Sequence, residues 1–227
     1  VRITEIYKSL QGESTHAGLP CVFVRLTGCN LRCSWCDSEY TFTGGKPISA
    51  DEIFAEVARL SPHGGLVEIT GGEPMLQERE LVPFMERLLA SGYTVLIETS
   101  GERPLARVPK AVIKIVDVKC PHSGAPDTFD LSNLDALEPH DEVKFVLSDR
   151  ADYEFARDFV STHDLAKRVR AVLFSPAFRK DATGARDVSH CLLDPQELAL
   201  WMLADNVPAR LGLQIHKFIW DPAVKGV

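Results

Sequence analysis

The sequence predicts an α/β protein built on a mostly parallel sheet. Strand-like and helix-like segments alternate along the chain, and most strand-like segments are too apolar to leave one face wet, as expected of strands covered by crossover helices. At 227 residues, with 45% hydrophobic and 25% charged side chains, the chain is long enough for one core, so residues 1–227 are expected to form a single domain.

The first six residues alternate apolar and polar side chains and read as an edge strand. Further strands are expected at residues 22–27, 66–70, 94–99, 112–119, 142–147, 171–175 and 211–216, each rich in β-branched residues and bounded by Gly, Pro, Asp or Ser. Helical periodicity falls at 50–60, 80–90, 151–160 and 195–205. Ser49 followed by Glu52 predicts a capping box for the first helix, with Ile53, Phe54, Val57 and Leu60 on its buried face. Asp194 before Pro195 predicts the start of the last helix. Two long segments, 28–47 with three cysteines and 120–139 with several prolines and aspartates, read as functional loops. In such a sheet ligands collect at the carboxyl ends of the strands.

The formal charge of −7 argues against a broad basic face for nucleic acid and leaves room for a pocket that takes a nucleotide-like ligand. No apolar run reaches the roughly 18 residues a bilayer span requires, so no membrane crossing is expected. The N-terminal segment lacks the basic start and uniform apolar centre of a signal peptide, so a cytoplasmic, reducing compartment is the expectation. There, six cysteines point to metal or redox chemistry rather than to disulfides.

Three of the six stand as Cys29, Cys33 and Cys36, a C-x3-C-x2-C run on the loop that leaves the strand at 22–27. Such spacing lets one loop present three thiolates to three irons of a [4Fe–4S] cube and leaves the fourth iron open for a small molecule. A zinc site completed by His16 or Cys21 is the alternative, although zinc loops usually come as paired C-x2-C units. Cys21 and Cys191 sit in apolar contexts and read as buried packing residues.

With Trp35 before its last cysteine, this run resembles the signature of the radical S-adenosylmethionine (SAM) enzymes. Gly71-Gly72-Glu73-Pro74, at the end of the strand at 66–70, resembles that superfamily's SAM-binding turn. Two glycines there let backbone approach a ligand closely. The resemblance implies a reduced cluster that chelates SAM through its amino and carboxylate groups and cleaves it to methionine and a 5′-deoxyadenosyl radical.

Three further segments, in order along the chain, narrow the resemblance to the 7-carboxy-7-deazaguanine synthases. They are Ser9-Leu10-Gln11-Gly12-Glu13-Ser14, Cys36-Asp37-Ser38 and Leu213-Gln214-Ile215-His216-Lys217. This family implies an abbreviated partial (β/α) barrel with fewer helices than a complete eightfold one. It also implies conversion of 6-carboxy-5,6,7,8-tetrahydropterin to 7-carboxy-7-deazaguanine with loss of ammonia, a precursor step on the way to queuosine or another deazapurine. The implied partners are a homodimer mate and an external electron donor such as flavodoxin.

Carried over residue by residue, the resemblance assigns Cys29, Cys33 and Cys36 to the cluster. It assigns Trp35, Cys36, Asp37, Gly72, Glu73, Glu98, Cys120, Pro121, His122 and Ser175 to SAM. Leu10, Gln11, Gly12, Glu13, Arg25, Thr70, His216 and Pro222 fall to the pterin, with Arg25 as partner of its carboxylate. Mg²⁺ is implied at Ser38, where the family has threonine; the hydroxyl is kept and the methyl lost. Ser14 replaces the family's common glycine, and the tail 217–227 is longer than the usual ending.

Taken alone, several of these residues have plainer readings. Gln11–Glu13 could form a turn, His216 sit satisfied in a core, Arg25 lie exposed on the strand, and Lys119 pair with Asp117. A glycyl-radical activating enzyme would share the cysteine run but leave the segments at 11–13 and 214–217 unexplained. An iron–sulfur electron carrier would have no need of the Gly71-Gly72 turn.

Overall fold

The computed structural model describes residues 1–226. The last residue of the tail 217–227 therefore lies outside the described residues.

Nine strands form one open sheet: β1 (Arg2–Leu10), β2 (Pro20–Leu26), β3 (Lys46–Pro47), β4 (Gly65–Gly71), β5 (Tyr93–Thr99), β6 (Ile113–Asp117), β7 (Glu142–Leu147), β8 (Ala171–Pro176) and β9 (Arg210–Leu211). Their order is β3-β1-β2-β4-β5-β6-β7-β8-β9, and every pair from β2 to β9 is parallel. The alternating N-terminal segment runs antiparallel to β2 as far as Leu10, and β3 covers only Arg2 and Ile3, so most of β1 is edge.

Crossovers are made by α1 (Ala50–Leu60), α2 (Glu78–Ala90), α3 (Arg150–Thr162), α4 (Leu165–Arg168) and α5 (Pro195–Asp205), with α6 (His216–Ile219) near the end of the chain. The predicted capping box is present: Ser49 Oγ accepts from Glu52 N–H at 3.2 Å, and the Glu52 carboxylate accepts from Ser49 N–H at 3.0 Å. Asp194 caps α5, its carboxylate accepting from Gln196 N–H at 2.8 Å. Among the described residues no helix is long and apolar enough to cross a membrane.

The two faces of the sheet differ. Val22, Val24, Val67, Ile69, Val95 and Ile97 pack against α1 and α2 residues such as Ile53, Val57, Phe84 and Leu88. Val143, Phe145, Val172 and Phe174 pack against Tyr153, Ala156 and Leu198 of α3 and α5. The opposite, concave face carries the smaller cluster of Cys21, Phe23, Leu66, Leu96 and Ile115, with Tyr7 and Ile113 packed against it.

One strand differs from expectation. Of residues 211–216 only Leu211 lies in a strand, at the end of β9; Gly212 N–H still donates to Phe174 O at 2.8 Å, after which the chain leaves the sheet and His216 begins α6. Gly212 lies tight over β8, where a Cβ would sit 2.9 Å from Ser175 Oγ, and the chain then turns across the concave face.

Candidate functional site

The concave face holds a cavity of about 460 Å³ at the carboxyl ends of the central strands. Its floor is apolar: Tyr7 stacks on Phe23 at 5.1 Å, and Cys21, Leu66, Leu96 and Ile115 complete the layer. One pleat further along each strand the side chains become polar. Arg25 of β2, Glu68 and Thr70 of β4, Glu98 of β5, Asp117 of β6 and Lys144 of β7 all line the cavity.

Above this layer runs the cysteine loop. Glu73 N–H donates to Gly28 O at 2.8 Å, and a Cβ at Gly72 would lie 2.0 Å from that oxygen, so only glycine lets the turn after β4 close on the loop. Glu73 is 2% exposed and accepts from Met75 N–H at 3.0 Å, Thr99 Oγ1 at 2.7 Å, Ser100 N–H at 2.9 Å and Ser100 Oγ at 2.8 Å. Its carboxylate is consumed in holding the turn to the end of β5, which leaves backbone to face a ligand.

Cys29, Cys33 and Cys36 are free thiols that line the cavity. Burial pushes all three thiols up, and the Lys119 ammonium works against it, so binding of iron would have to displace protons. Among the described residues the one His, Cys, Asp or Glu trio with ligand atoms all within 4.8 Å is His122, Asp149 and Asp152. At least one pair of the cysteine sulfurs is thus more than 4.8 Å apart, wider than the roughly 3.8 Å between thiolates on one tetrahedral zinc. A cube that takes one thiolate on each of three irons suits that wider spacing. His16 and Cys21 offer no fourth zinc ligand: His16 lies 3.7 Å from Glu142, and Cys21 is 1% exposed in the floor.

The predicted pterin residues Leu10, Gln11, Gly12, Glu13, Arg25, Thr70, His216 and Pro222 all line this cavity. So do Ser38 and the predicted SAM residues Trp35, Cys36, Asp37, Gly72, Glu73 and Glu98. Chain ends 201 residues apart meet here: Gln214 Nε2 donates to Glu13 Oε1 at 2.6 Å, and Ile215 N–H donates to Gly12 O at 2.9 Å. Arg25 is not free on an exposed face. Its Nε donates to Glu5 at 2.9 Å and its Nη2 to Tyr7 OH at 2.7 Å, which aims the remaining guanidinium edge.

Cys120, Pro121, His122 and Ser175 do not line the cavity. Cys120 is turned into the core beside Val118 and Val143, so the 3-10 turn Pro121–Ser123 passes behind the cysteine loop. It braces that loop from outside: Ser34 N–H donates to Ser123 O at 2.7 Å, and Ser34 Oγ to His122 O at 3.2 Å. Ser175 is 4% exposed, shut in beneath Gly212. Cys21 is buried as expected, whereas Cys191, expected to be buried, is half-buried at the end of a 3-10 turn.

Ion pairs fix most of the charge. Lys144 Nζ bridges Glu13, at 2.8 Å, and Glu98; Lys119 pairs with Asp117 at 2.7 Å, and Lys217 with Asp37 at 2.8 Å. Burial alone would raise the Glu13 carboxyl, but Lys144, with His216 and Gln214, outweighs it and holds the group at about 2. Sequence reasoning assigned no role to Glu68 or Lys144. Their signal was present as charged residues inside apolar strands, two positions from another polar residue (Thr70 and Glu142), which is the period of one strand face.

Comparison with known proteins bears on the family of the chain. The sequence model of the Radical SAM superfamily matches residues 23–162. The chain is 72% identical over 227 residues to the 7-carboxy-7-deazaguanine synthase of Koribacter versatilis (strain Ellin345), covering 100% of both. It is 38% identical over 230 residues to the 7-carboxy-7-deazaguanine synthase of Chlorobaculum tepidum, covering 100% of this chain and 97% of that one. The crystal structure of QueE from Escherichia coli superimposes with a TM-score of 0.71 at 24% identity, over 93% of this chain and 92% of that one, and so shares the fold.

Proposed function

The chain belongs to the radical SAM superfamily and, within it, to the 7-carboxy-7-deazaguanine synthases, and from that premise we propose how its cavity is used. Cys29, Cys33 and Cys36 hold a [4Fe–4S] cluster. SAM lies across Trp35, Asp37, the Gly72-Glu73 turn and Glu98. 6-Carboxy-5,6,7,8-tetrahydropterin occupies the space between Gln11-Gly12-Glu13 and His216. When bound, the cluster and SAM supply the radical chemistry, and the product is 7-carboxy-7-deazaguanine with release of ammonia.

The protein's own part is recognition and placement. Glu13, kept ionised by Lys144, accepts from the N–H edge of the pterin, and the free edge of Arg25 pairs with its carboxylate beside Thr70. The Ser38 hydroxyl, on the cavity wall 3.8 Å from Cys36 Sγ, is the proposed protein ligand of a Mg²⁺ completed by substrate and water. A cytoplasmic homodimer of single-domain chains, fed by an external one-electron donor such as flavodoxin, belongs to the same proposal.

The observation that carries it is the junction of residues 11–13 with residues 214–216 beside the cysteine loop, which gives a flat heterocycle a polar slot next to the cluster ligands. A glycyl-radical activating enzyme would have no use for that junction. The test is anaerobic reconstitution followed by incubation with the carboxytetrahydropterin, SAM and reductant. Ammonia and an ultraviolet-absorbing deazapurine should appear in equal amounts, and a Cys33→Ala protein should yield neither. A reconstituted wild-type protein that leaves the pterin unchanged would refute the proposal.

A further inference from the structure

Of the carboxylates that the sheet, the loop after β1, the turn after β4 and the cysteine loop place in the cavity, all but one are accounted for. Glu13 and Glu98 share Lys144, Asp117 has Lys119, Asp37 has Lys217, and Glu73 is consumed by four donors. Glu68 has no cation within ion-pair distance among the described residues; its partner is the Gln11 amide, through Nε2. That amide cannot turn over, because Gln11 Oε1 is already taken by Glu13 N–H at 2.8 Å.

The surroundings of Glu68 favour a neutral acid. It is 2% exposed, and its register neighbours on the adjoining strands are Phe23 and Leu96. The titratable and charged groups that face it are Tyr7 from β1, Cys21 and Arg25 from β2, Glu13 from the loop after β1, Glu98 from β5 and Lys144 from β7. Burial, reinforced by the negative charges of Glu98 and Glu13, pushes its carboxyl well above the usual carboxylate range. It nevertheless lines the cavity on the same face as Thr70, two residues along β4. A buried neutral carboxyl beside one that stays ionised, as Glu13 does, is how active sites separate an acid from a charge-bearing group.

We propose that Glu68 is the proton-transfer group for the ammonia-releasing half of the reaction. The inference rests on the functional reading above and deepens it. Loss of ammonia breaks a carbon–nitrogen bond, whose electron pair stays on nitrogen, and that nitrogen takes the Glu68 proton. The bond to hydrogen on the neighbouring ring carbon then breaks, its electron pair forms the new ring double bond, and its proton returns to the Glu68 carboxylate. Nothing is oxidised or reduced in this half, and Glu68 ends as it began.

The experiment compares wild-type, Glu68→Gln and Glu68→Asp holoenzymes, reconstituted anaerobically, with pterin deuterated at C6. In Glu68→Gln, substrate affinity and deuterium transfer into 5′-deoxyadenosine should stay within about threefold of wild type, while ammonia and deazapurine release fall by about 100-fold, the lower range of general acid–base catalysis. Wild-type kcat should decline at alkaline pH as the acid ionises, a limb that Glu68→Gln lacks, and Glu68→Asp should recover part of the release. Wild-type product release with an unchanged pH profile in Glu68→Gln would overturn the proposal. So would parallel loss of binding and deuterium transfer, which would mark a purely structural residue. If Glu68→Gln fails to fold, a wild-type kcat without an alkaline limb overturns the proposal on its own. A wild-type enzyme inert toward the pterin overturns the functional reading, and this proposal with it.

Discussion

Gly12 and His216, at opposite ends of the chain, are in direct contact. A Cβ on Gly12 would sit 2.0 Å from Nδ1 of the His216 imidazole and 2.8 Å from its Cβ. The glycine is required by the approach of that ring. Gly12→Ala should push His216 out of place, with an overpacking cost of about 1–3 kcal/mol. We expect a lower denaturant midpoint and a KM for the pterin raised on the order of tenfold, the equivalent of about 1.4 kcal/mol of lost binding. A KM unchanged by the substitution would separate His216 from the substrate.

Lys144 is 3% exposed and bridges Glu13 and Glu98. Lys144→Met should therefore leave two half-buried carboxylates without a cation and destabilise the fold, by less than the roughly 3–5 kcal/mol that breaking a fully buried pair costs. Adding Glu13→Gln should restore part of that loss, because one of the stranded charges disappears. Urea unfolding of the two single variants and the double variant measures the coupling; additive losses would contradict the bridge.

The same bridge sets a pH dependence. Folding holds the Glu13 carboxyl at about 2, below its ordinary 4.5, so its contribution to stability is complete above about 4.5 and is lost as the pH falls toward 2. Wild type should lose its stability advantage over Glu13→Gln across that window, as followed by circular dichroism in an acid titration. An advantage that stayed constant from neutral pH down to 2 would refute the assignment.

Gly124 has a φ of +79°, and a Cβ there would lie 2.8 Å from Ser34 Oγ and 2.9 Å from Arg32 O. Gly124→Ala should strain the turn and press on the cysteine loop from behind. Iron content after reconstitution should fall, while Glu73→Gln, which loosens the turn after β4, should weaken SAM binding more than iron uptake. Equal iron content in Gly124→Ala and wild type would show that the brace is unimportant.

Ser38 offers a hydroxyl without the methyl that the family's threonine would add. Ser38→Ala should retain the cluster absorbance and lose stimulation of turnover by Mg²⁺, and Ser38→Thr should reach full stimulation at lower Mg²⁺. Magnesium titrations of turnover test both, and a Mg²⁺ response retained in Ser38→Ala would remove Ser38 from the metal site.

By itself the sequence determined what is local or periodic. The caps at Ser49 and Asp194, the central strands and the cysteine run are legible because propensity, capping and spacing act within a few residues. The short order of motifs sufficed for the family. What only the tertiary structure decided is where separate segments meet. The tail leaves the sheet at Gly212 to clasp Glu13, which no local pattern encodes, and Cys120 turns into the core so that its turn braces the cysteine loop rather than facing the cavity. Charge placement is likewise tertiary. Glu68, Glu98 and Lys144 sit on three different strands, and only their packing on one concave face shows that Lys144 bridges two carboxylates while Glu68, among the described residues, has no cation at ion-pair distance. The physical reason is common to these cases: burial and Coulomb interactions depend on distances in space, which the sheet fixes through strand order and register.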